Sequence, residues 1–206
     1  MNLLRKCLVD QFGNPSGPLG WLAGQIMRWR PSNLERSRLG ASALGVLPGE
    51  RVLEIGFGPG LAIREILRLE EKCRVVGIDR SPLMLAQAKR LNWNAVSAGQ
   101  VELLRAEAEA LPDFSHPFDK VLAINVFMFW KDPGTVLRGI RRVMSPGGSL
   151  VLVVQPRSAR AGETETREAG VRMQRALSEA GYSAIEFGYL DLTPVRAACV
   201  RGRAES

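Results

Sequence analysis

Three glycines at alternate positions follow a short, mainly apolar segment. Gly56, Gly58 and Gly60 come directly after residues 51–55, which we predict to be a strand, and precede a segment with helical periodicity. A glycine-rich turn between a parallel strand and its helix lets the backbone approach a ligand closely, at the sheet edge where doubly wound folds bind cofactors. Leu61 occupies the position that a dinucleotide-binding fingerprint gives to its third glycine, so the loop does not favour a pyrophosphate.

Two acidic residues accompany this loop. Glu54 lies two residues before the first glycine, and Asp79 ends a second predicted strand. A carboxylate at position 54 repels a pyrophosphate and attracts a cationic group. A carboxylate at position 79 can accept hydrogen bonds from both hydroxyls of a ribose, the alternative being a cap for the next helix. Together these residues fit a ligand that joins a nucleoside to an amine and needs no phosphate clamp, as S-adenosylmethionine does.

Beyond Gly45 the sequence alternates between segments typical of strands and of helices. This alternation predicts an α/β domain with a Rossmann-like, doubly wound sheet of seven mostly parallel strands, covered by helices on both faces. Ser81 and Pro82 are typical of a helix start, the first as N-cap and the second as first helical residue. The predicted strands are residues 51–55, 74–79, 101–104, 118–124, 149–155, 184–190 and 195–200, and the predicted helices include residues 83–91, 135–144 and 165–180.

The first 45 residues do not follow this alternation. We predict that residues 1–45 form a helical extension and that residues 46–206 form the main domain. A short amphipathic helix is predicted in the extension because apolar residues recur there at helical spacing, namely Leu19, Leu22, Ala23, Ile26 and Trp29.

Five segments occur in an order and spacing that resemble the motifs of class I S-adenosylmethionine-dependent methyltransferases. The resemblance covers about residues 46–155 and implies S-adenosylmethionine as the cofactor. The segments are VLEIGFGPG at residues 52–60, VGID at 76–79, AEAEALP at 106–112, FD at 118–119 and MSPGG at 144–148.

The resemblance also implies roles for residues along the cofactor. Glu54 would be linked to the amino group, the loop containing Gly56, Phe57, Gly58 and Gly60 would line the methionine moiety, and Asp79 would bind the ribose. Near the adenine it implies Glu107 as acceptor for the exocyclic amine, with the backbone of Ala108 beside the ring and with Arg80 and Met84 at its edge. For Met84, packing on the helix face is the alternative. Asn125 and Val126 match the segment that flanks the sulfonium and the acceptor pocket.

Methyl transfer is an in-line displacement, which requires the reacting atoms to be held in line and water to be excluded, so a strong base is optional. The candidates for catalytic residues are Asn125, Trp130 and His116. His116 could deprotonate an acceptor, but a single loop histidine is also typical of a surface position. Trp130, with Phe127 and Phe129, could form an apolar wall of the acceptor pocket, and ordinary core packing is the alternative. Trp21, Met27 and Trp29 could belong to a lid over the site or to a helix that covers a sheet edge.

The segment after the fourth strand narrows the class of acceptor. It reads Asn125-Val-Phe-Met. In the family that the chain resembles, the enzymes that methylate amines of nucleic acids carry an Asp/Asn-Pro-Pro-aromatic motif here, and this chain does not. No cysteine nucleophile lies there either. Cys7, Cys73 and Cys199 are far apart, so neither a metal site nor a disulfide framework is predicted. A small-molecule acceptor is therefore predicted and nucleic acid is disfavoured. The rival functions are a non-catalytic cofactor-binding module and a nicotinamide oxidoreductase, the latter opposed by Leu61 and Glu54.

The 206-residue chain is basic, with 28 lysines and arginines, 21 acids and a net charge of +7. Six of the basic residues and two of the acids lie in residues 1–45. Such a segment can attract nucleic acid, an anionic membrane surface or an acidic substrate, and a solvated arginine-rich face is the alternative. Peripheral membrane contact through this segment would suit methylation of a phospholipid head group, which we keep as the alternative function.

The sequence predicts a cytoplasmic location. The longest nearly uninterrupted apolar run, residues 121–130, has ten residues. A membrane-spanning helix needs about 20 residues. The start of the chain also lacks the continuous apolar core of a secretory signal.

Overall fold

The computed structural model describes residues 31–157 and 161–205, over which strands and helices alternate. The strands are β1 Arg51–Ile55, β2 Arg74–Asp79, β3 Val101–Arg105, β4 Phe118–Ile124, β5 Met144–Val154, β6 Tyr182–Leu190 and β7 Ala197–Ala204. The helices are α1 Pro31–Leu44, α2 Leu61–Leu69, α3 Pro82–Leu91, α4 Trp93–Ser97, α5 Pro133–Arg142 and α6 Glu163–Glu179, with a short 3₁₀ helix at Phe127–Phe129.

The seven strands form one sheet in the order β3-β2-β1-β4-β5-β7-β6. The first five strands of this order are parallel, whereas β7 is antiparallel to both β5 and β6. This arrangement confirms the predicted Rossmann-like, mostly parallel sheet. The chain runs outward from β1 to β3 on one side and from β4 to β5 on the other, so the crevice between the ends of β1 and β4 is the topological switch point of the fold.

The central strands are apolar at successive positions because helices cover both faces of the sheet. Leu53 of β1 and Val121 of β4 belong to a core that includes residues of α5 and α6. Their neighbours Val52 and Leu122 belong to the opposite core, which includes residues of α1, α2 and α3. Side chains alternate between the faces of a strand, so a strand buried on both faces has no polar side.

Helix α1 packs against the sheet and was not among the predicted elements. Ala41 and Leu44 are buried, and a Cβ added at Gly40 would lie 2.7 Å from Ile124 Cδ1 at the end of β4. The helix predicted from Leu19 to Trp29 lies outside the described residues, as does the possible lid that includes Trp21 and Met27. The division between residues 1–45 and 46–206 therefore stays a prediction.

Most element boundaries follow the predicted ones closely, but β7 ends four residues later than predicted and β5 departs further. Ser81 caps α3 as predicted, because its hydroxyl accepts a hydrogen bond from the Met84 amide at 3.4 Å. Strand β5 begins at Met144 instead of residue 149, since Phe118 pairs with Met144 and Lys120 with Ser149. The turn residues 145–148 thus form a bulge within the strand pairing. In the part of the chain that the structure describes, no helix is both long and apolar enough to cross a membrane.

Candidate active site

A cavity of about 670 Å³ lies at the carboxyl ends of the parallel strands. Its walls come from the ends of β1 to β5, from the loop after β1 and from α1. The structure brings together most of the predicted site residues in these walls, namely Glu54, Gly56, Phe57, Gly58, Asp79, Arg80, Met84, Glu107, Ala108, Asn125, Val126 and Trp130. Gly60 and His116 are not among the residues that line the cavity.

The loop after β1 needs its first and third glycines for different reasons. Gly56 has a φ of +71°, and a Cβ there would lie 2.2 Å from Val126 Cγ1. Gly60 has a φ of +81°, and a Cβ there would lie 2.6 Å from Asn92 Nδ2 and 2.9 Å from the Ala88 Cβ in α3. Gly56 therefore allows the segment after β4 to approach the loop, whereas Gly60 allows α3 to pack on the start of α2.

Asp79 is fixed at the end of β2 by two backbone amides. Gly58 N–H donates to Oδ2 and Ser81 N–H to Oδ1, both at 2.9 Å. Burial raises the pKa of Asp79, and these two hydrogen bonds act in the opposite direction. A carboxylate has about four lone-pair sites, so acceptor capacity remains for a ligand in the cavity. Asp79 does not cap α3, since it is the Ser81 hydroxyl that accepts the hydrogen bond from the Met84 amide.

Glu54 carries a buried polar atom without a partner among the described residues. Its side chain is 2% exposed, and Oε2 has no hydrogen-bond partner among the described residues. Burial, and then the charge of Asp79, raise the pKa of Glu54 well above its ordinary value, while a hydrogen bond from the Ile63 backbone lowers it. A buried carboxyl oxygen without a partner is costly, and a cationic donor would remove that cost.

The rim near β3 is more exposed. Glu107 is held in a tight turn in which the Ala110 amide donates to the Glu107 carbonyl at 3.2 Å. Arg80, also exposed, accepts a hydrogen bond from the Arg105 side chain at its carbonyl. Met84 is 2% exposed and belongs to the core below, yet it also borders the cavity. The two interpretations of Met84, ligand contact and helix packing, are therefore compatible.

The segment after β4 bends sharply at Asn125, whose φ is +55°. The Asn125 amide donates to the Val153 carbonyl, and its Oδ1 accepts from the Gln155 amide, each at 2.8 Å. Trp130 is buried and packs edge-on against Phe127, with ring centroids 5.4 Å apart. Trp130 therefore belongs both to the core and to the cavity wall.

Sequence reasoning missed a polar cluster in the cavity wall. Arg36 Nη1 donates to Gln155 Oε1 and Nη2 donates to Asn33 Oδ1, both at 2.7 Å. Arg157 donates to the same Asn33 oxygen. Burial, and then the charge of Arg157, lower the pKa of Arg36 to about 9. The sequence offered only the basic character of the first 45 residues as a signal, because Arg36 and Gln155 are 119 positions apart.

His116 is exposed in the loop before β4 and does not line the cavity. This position agrees with the surface alternative for His116 and gives no support to its proposed role as a base.

Comparison with known proteins identifies the family of this chain. Residues 53–152 match the family described as methyltransferase domain. The uncharacterized methyltransferase YdaC of Bacillus subtilis is 30% identical over 182 residues, which are 88% of this chain and 97% of that protein. Cycloartenol-C-24-methyltransferase 1 of Oryza sativa is 31% identical over 125 residues, which are 58% of this chain and only 36% of that protein.

Among solved structures, a SAM-dependent methyltransferase from Aquifex aeolicus superposes with a TM-score of 0.69 and 21% identity, covering 88% of this chain and 98% of that one. A structural match at this level of identity shows the fold, and the match to the sequence of YdaC shows the family. The chain thus belongs to the class I S-adenosylmethionine-dependent methyltransferases, and S-adenosylmethionine is its cofactor.

Proposed function

We propose that the crevice binds S-adenosylmethionine with Glu54 facing the amino group and Asp79 facing the ribose, beside a small molecule that accepts the methyl group. The proposal assigns Gly56, Phe57 and Gly58 to the methionine moiety. It assigns Glu107, Ala108, Arg80 and Met84 to the adenine, and Asn125 and Val126 to the side of the sulfonium from which the methyl group is transferred.

The observation that carries this assignment is the unpartnered Oε2 of Glu54 in the cavity wall. An ammonium group would donate a hydrogen bond to this buried oxygen, and its positive charge would offset the charge of the carboxylate. The open space at Gly58, where an added Cβ would meet no atom within 4 Å, leaves room for a ligand in the cavity that Gly58 and Glu54 both line. The residues present therefore fit the cofactor.

The order of the strands supports the direction in which the cofactor would lie. Glu107 follows β3, Asp79 ends β2, Glu54 is in β1 and Asn125 follows β4, and these strands are consecutive neighbours in the sheet. Neighbouring strands lie about 4.8 Å apart, so the four residues span about 14 Å across the sheet edge. A nucleoside extended by an amino acid side chain has a comparable length.

When bound, S-adenosylmethionine supplies an electrophilic methyl group, which an acceptor atom takes as the carbon–sulfur bond breaks. The protein's part is to orient the acceptor and exclude water. Asn125 is suited to a fixed position because two backbone groups hold it. Met128, Phe129 and Trp130 offer an apolar wall to an acceptor. The name of the Oryza sativa relative, which specifies cycloartenol, supports a small-molecule acceptor.

The test is calorimetric titration with S-adenosylhomocysteine. Asp79→Asn should weaken binding by about ten- to a hundredfold, the loss of one or more charge-assisted hydrogen bonds. Asp113→Asn is the matched control, because Asp113 is exposed and does not line the cavity. Equal affinities for the two variants would contradict the ribose assignment. Incubation with methyl-labelled cofactor and a panel of phenols, amines, thiols and acids then tests the acceptor class.

The phospholipid alternative depends on basic residues of the first 45 positions, of which the first 30 lie outside the described residues. No observation in the crevice favours it over a small molecule. Salt-sensitive flotation with anionic liposomes, together with methyl transfer to phosphatidylethanolamine, would be needed to revive it.

A further inference from the structure

Two arginines meet on a side of the cavity that the proposed cofactor site does not use. Arg36 comes from α1 and Arg157 from the chain just after β5, and both contact the Asn33 side-chain oxygen. Arg36 also contacts the amide oxygen of Gln155. All four side chains line the cavity, and we call them the arginine cluster.

Among the described residues, Arg36 is buried without a compensating acid. Its side chain is 6% exposed, and its Nε has no hydrogen-bond partner among the described residues. Within residues 31–157 and 161–205, no carboxylate forms an ion pair with Arg36. The amide oxygens of Asn33 and Gln155 satisfy hydrogen bonds but carry no net charge. A buried guanidinium beside a second guanidinium is costly unless an anion offsets the charge.

We propose that the arginine cluster binds an anionic group of the methyl acceptor, so that the substrate of this enzyme is a molecule bearing a carboxylate or a phosphate. This inference rests on the proposed function, because it assigns the second ligand of the same crevice. Guanidinium groups hold both oxyanions through paired N–H donors.

The position of the cluster separates it from the cofactor's own carboxylate. The Gln155 side chain that contacts Arg36 also donates to the Val195 carbonyl at 2.8 Å, just before β7. Strand β5 is two neighbours away from β1, which carries Glu54, and two strand spacings are about 10 Å. The amine and carboxylate of an amino acid are attached to the same carbon. A ligand with its amine at Glu54 therefore has its carboxylate near β1, and the cluster remains for another molecule.

We expect the remainder of the acceptor to contact apolar residues of the same cavity. Met128 and Phe129 line the cavity and are 48% and 43% exposed. An acceptor with an apolar body would cover them while its acidic end contacts the arginines. Paired guanidinium groups also withdraw charge from a bound oxyanion, so the acid serves as an anchor and another atom of the acceptor takes the methyl group.

The experiment measures the binding of phenyl phosphate and of neutral benzyl alcohol to protein saturated with S-adenosylhomocysteine, by calorimetry. Phenyl phosphate should bind the unaltered protein more tightly than benzyl alcohol. Arg36→Gln and Arg157→Gln should each weaken phenyl phosphate by about ten- to a hundredfold and leave S-adenosylhomocysteine within about twofold. Arg157 is exposed, so its variant keeps the test valid if Arg36→Gln does not fold. Arg175→Gln, at an exposed position on α6 outside the cavity, is the matched control and should bind both ligands normally.

Three results would overturn the proposal. One is equal binding of phenyl phosphate and benzyl alcohol, and another is normal phenyl phosphate binding by both glutamine variants. The third combines two observations. Phenyl phosphate would compete with S-adenosylhomocysteine, and Arg36→Gln would bind S-adenosylhomocysteine more weakly while its affinity for 5′-methylthioadenosine, which lacks the amino acid, stayed unchanged. That pattern would assign the cluster to the cofactor carboxylate. Titrating phenyl phosphate in the absence of S-adenosylhomocysteine separates the anion site from the proposed function. If S-adenosylhomocysteine does not bind, the proposed function fails, but the affinity for phenyl phosphate can still be measured.

Discussion

Gly56 is a position at which one added methyl group tests the packing of the crevice. Its φ is +71°, and the new Cβ of Gly56→Ala would lie 2.2 Å from Val126 Cγ1. The left-handed conformation costs an alanine about 1–2 kcal/mol. Overpacking adds about 1–3 kcal/mol. We therefore expect the free energy of unfolding to fall by about 2–5 kcal/mol, and S-adenosylhomocysteine binding to weaken because both residues border the cavity.

Two further variants separate the steric contribution from the conformational one. Gly45 has a φ of +59° and no atom within 4 Å of an added Cβ, so Gly45→Ala measures the backbone contribution alone. Val126→Ala removes the methyl carbons that the new Cβ would meet. The double variant of Gly56 and Val126 should therefore be more stable than the sum of the single effects predicts, by about 0.5–3 kcal/mol. Equilibrium urea denaturation measures each free energy of unfolding.

A Gly56→Ala variant that is no less stable than Gly45→Ala would contradict the prediction, and so would additive effects at positions 56 and 126. Either result would mean that the loop after β1 and the segment after β4 are not in the close contact described. A loss of stability that Val126→Ala relieves would support that contact.

The remaining predictions concern one acid and two aromatic residues. Because the pKa of Glu54 is raised in the folded protein, stability should fall as the pH rises from about 4.5 towards that raised pKa. Glu54→Gln should remove this fall in urea titrations at several pH values, and should weaken S-adenosylhomocysteine about ten- to a hundredfold. Trp130→Ala should lower the melting temperature strongly, through a loss of about 3–5 kcal/mol at a buried site. Phe129→Ala should change stability by no more than about 0.5 kcal/mol. It should nevertheless raise KM for the acceptor in steady-state assays.

The sequence predicted the strands of the crevice because local signals marked both ends. β1, β2 and β4 have the predicted bounds, since each is an apolar run followed by a glycine, a serine-proline pair or a turn. Strand β5 began earlier than predicted because the turn residues 145–148 lie inside the pairing with β4. A bulge depends on the partner strand, and the local sequence alone does not determine it.

The acids of the site were also accessible to sequence reasoning, because motif spacing relates Glu54 and Asp79 to one sheet edge. The arginine cluster was not, for a physical reason. Its contacts join α1 to the end of β5 across 119 residues, and no periodicity or turn signal relates those positions. Even the helix that carries Arg36 lacked a strong apolar face, because it packs through Gly40, Ala41 and buried polar residues.

The charged residues of the cavity are arranged along the sheet in a way that relates the two proposals. Glu54 and Asp79 belong to β1 and β2, whereas Arg36 belongs to α1 and Arg157 to the segment just after β5. A cationic cofactor and an anionic acceptor would each be attracted to its own end and repelled from the other. The two ligands would then meet at the end of β4, where backbone groups hold Asn125 in place and its Oδ1 accepts from the same Gln155 whose side chain contacts Arg36. Separated charge would thus orient both reactants before transfer, which is the contribution this displacement needs most from the protein.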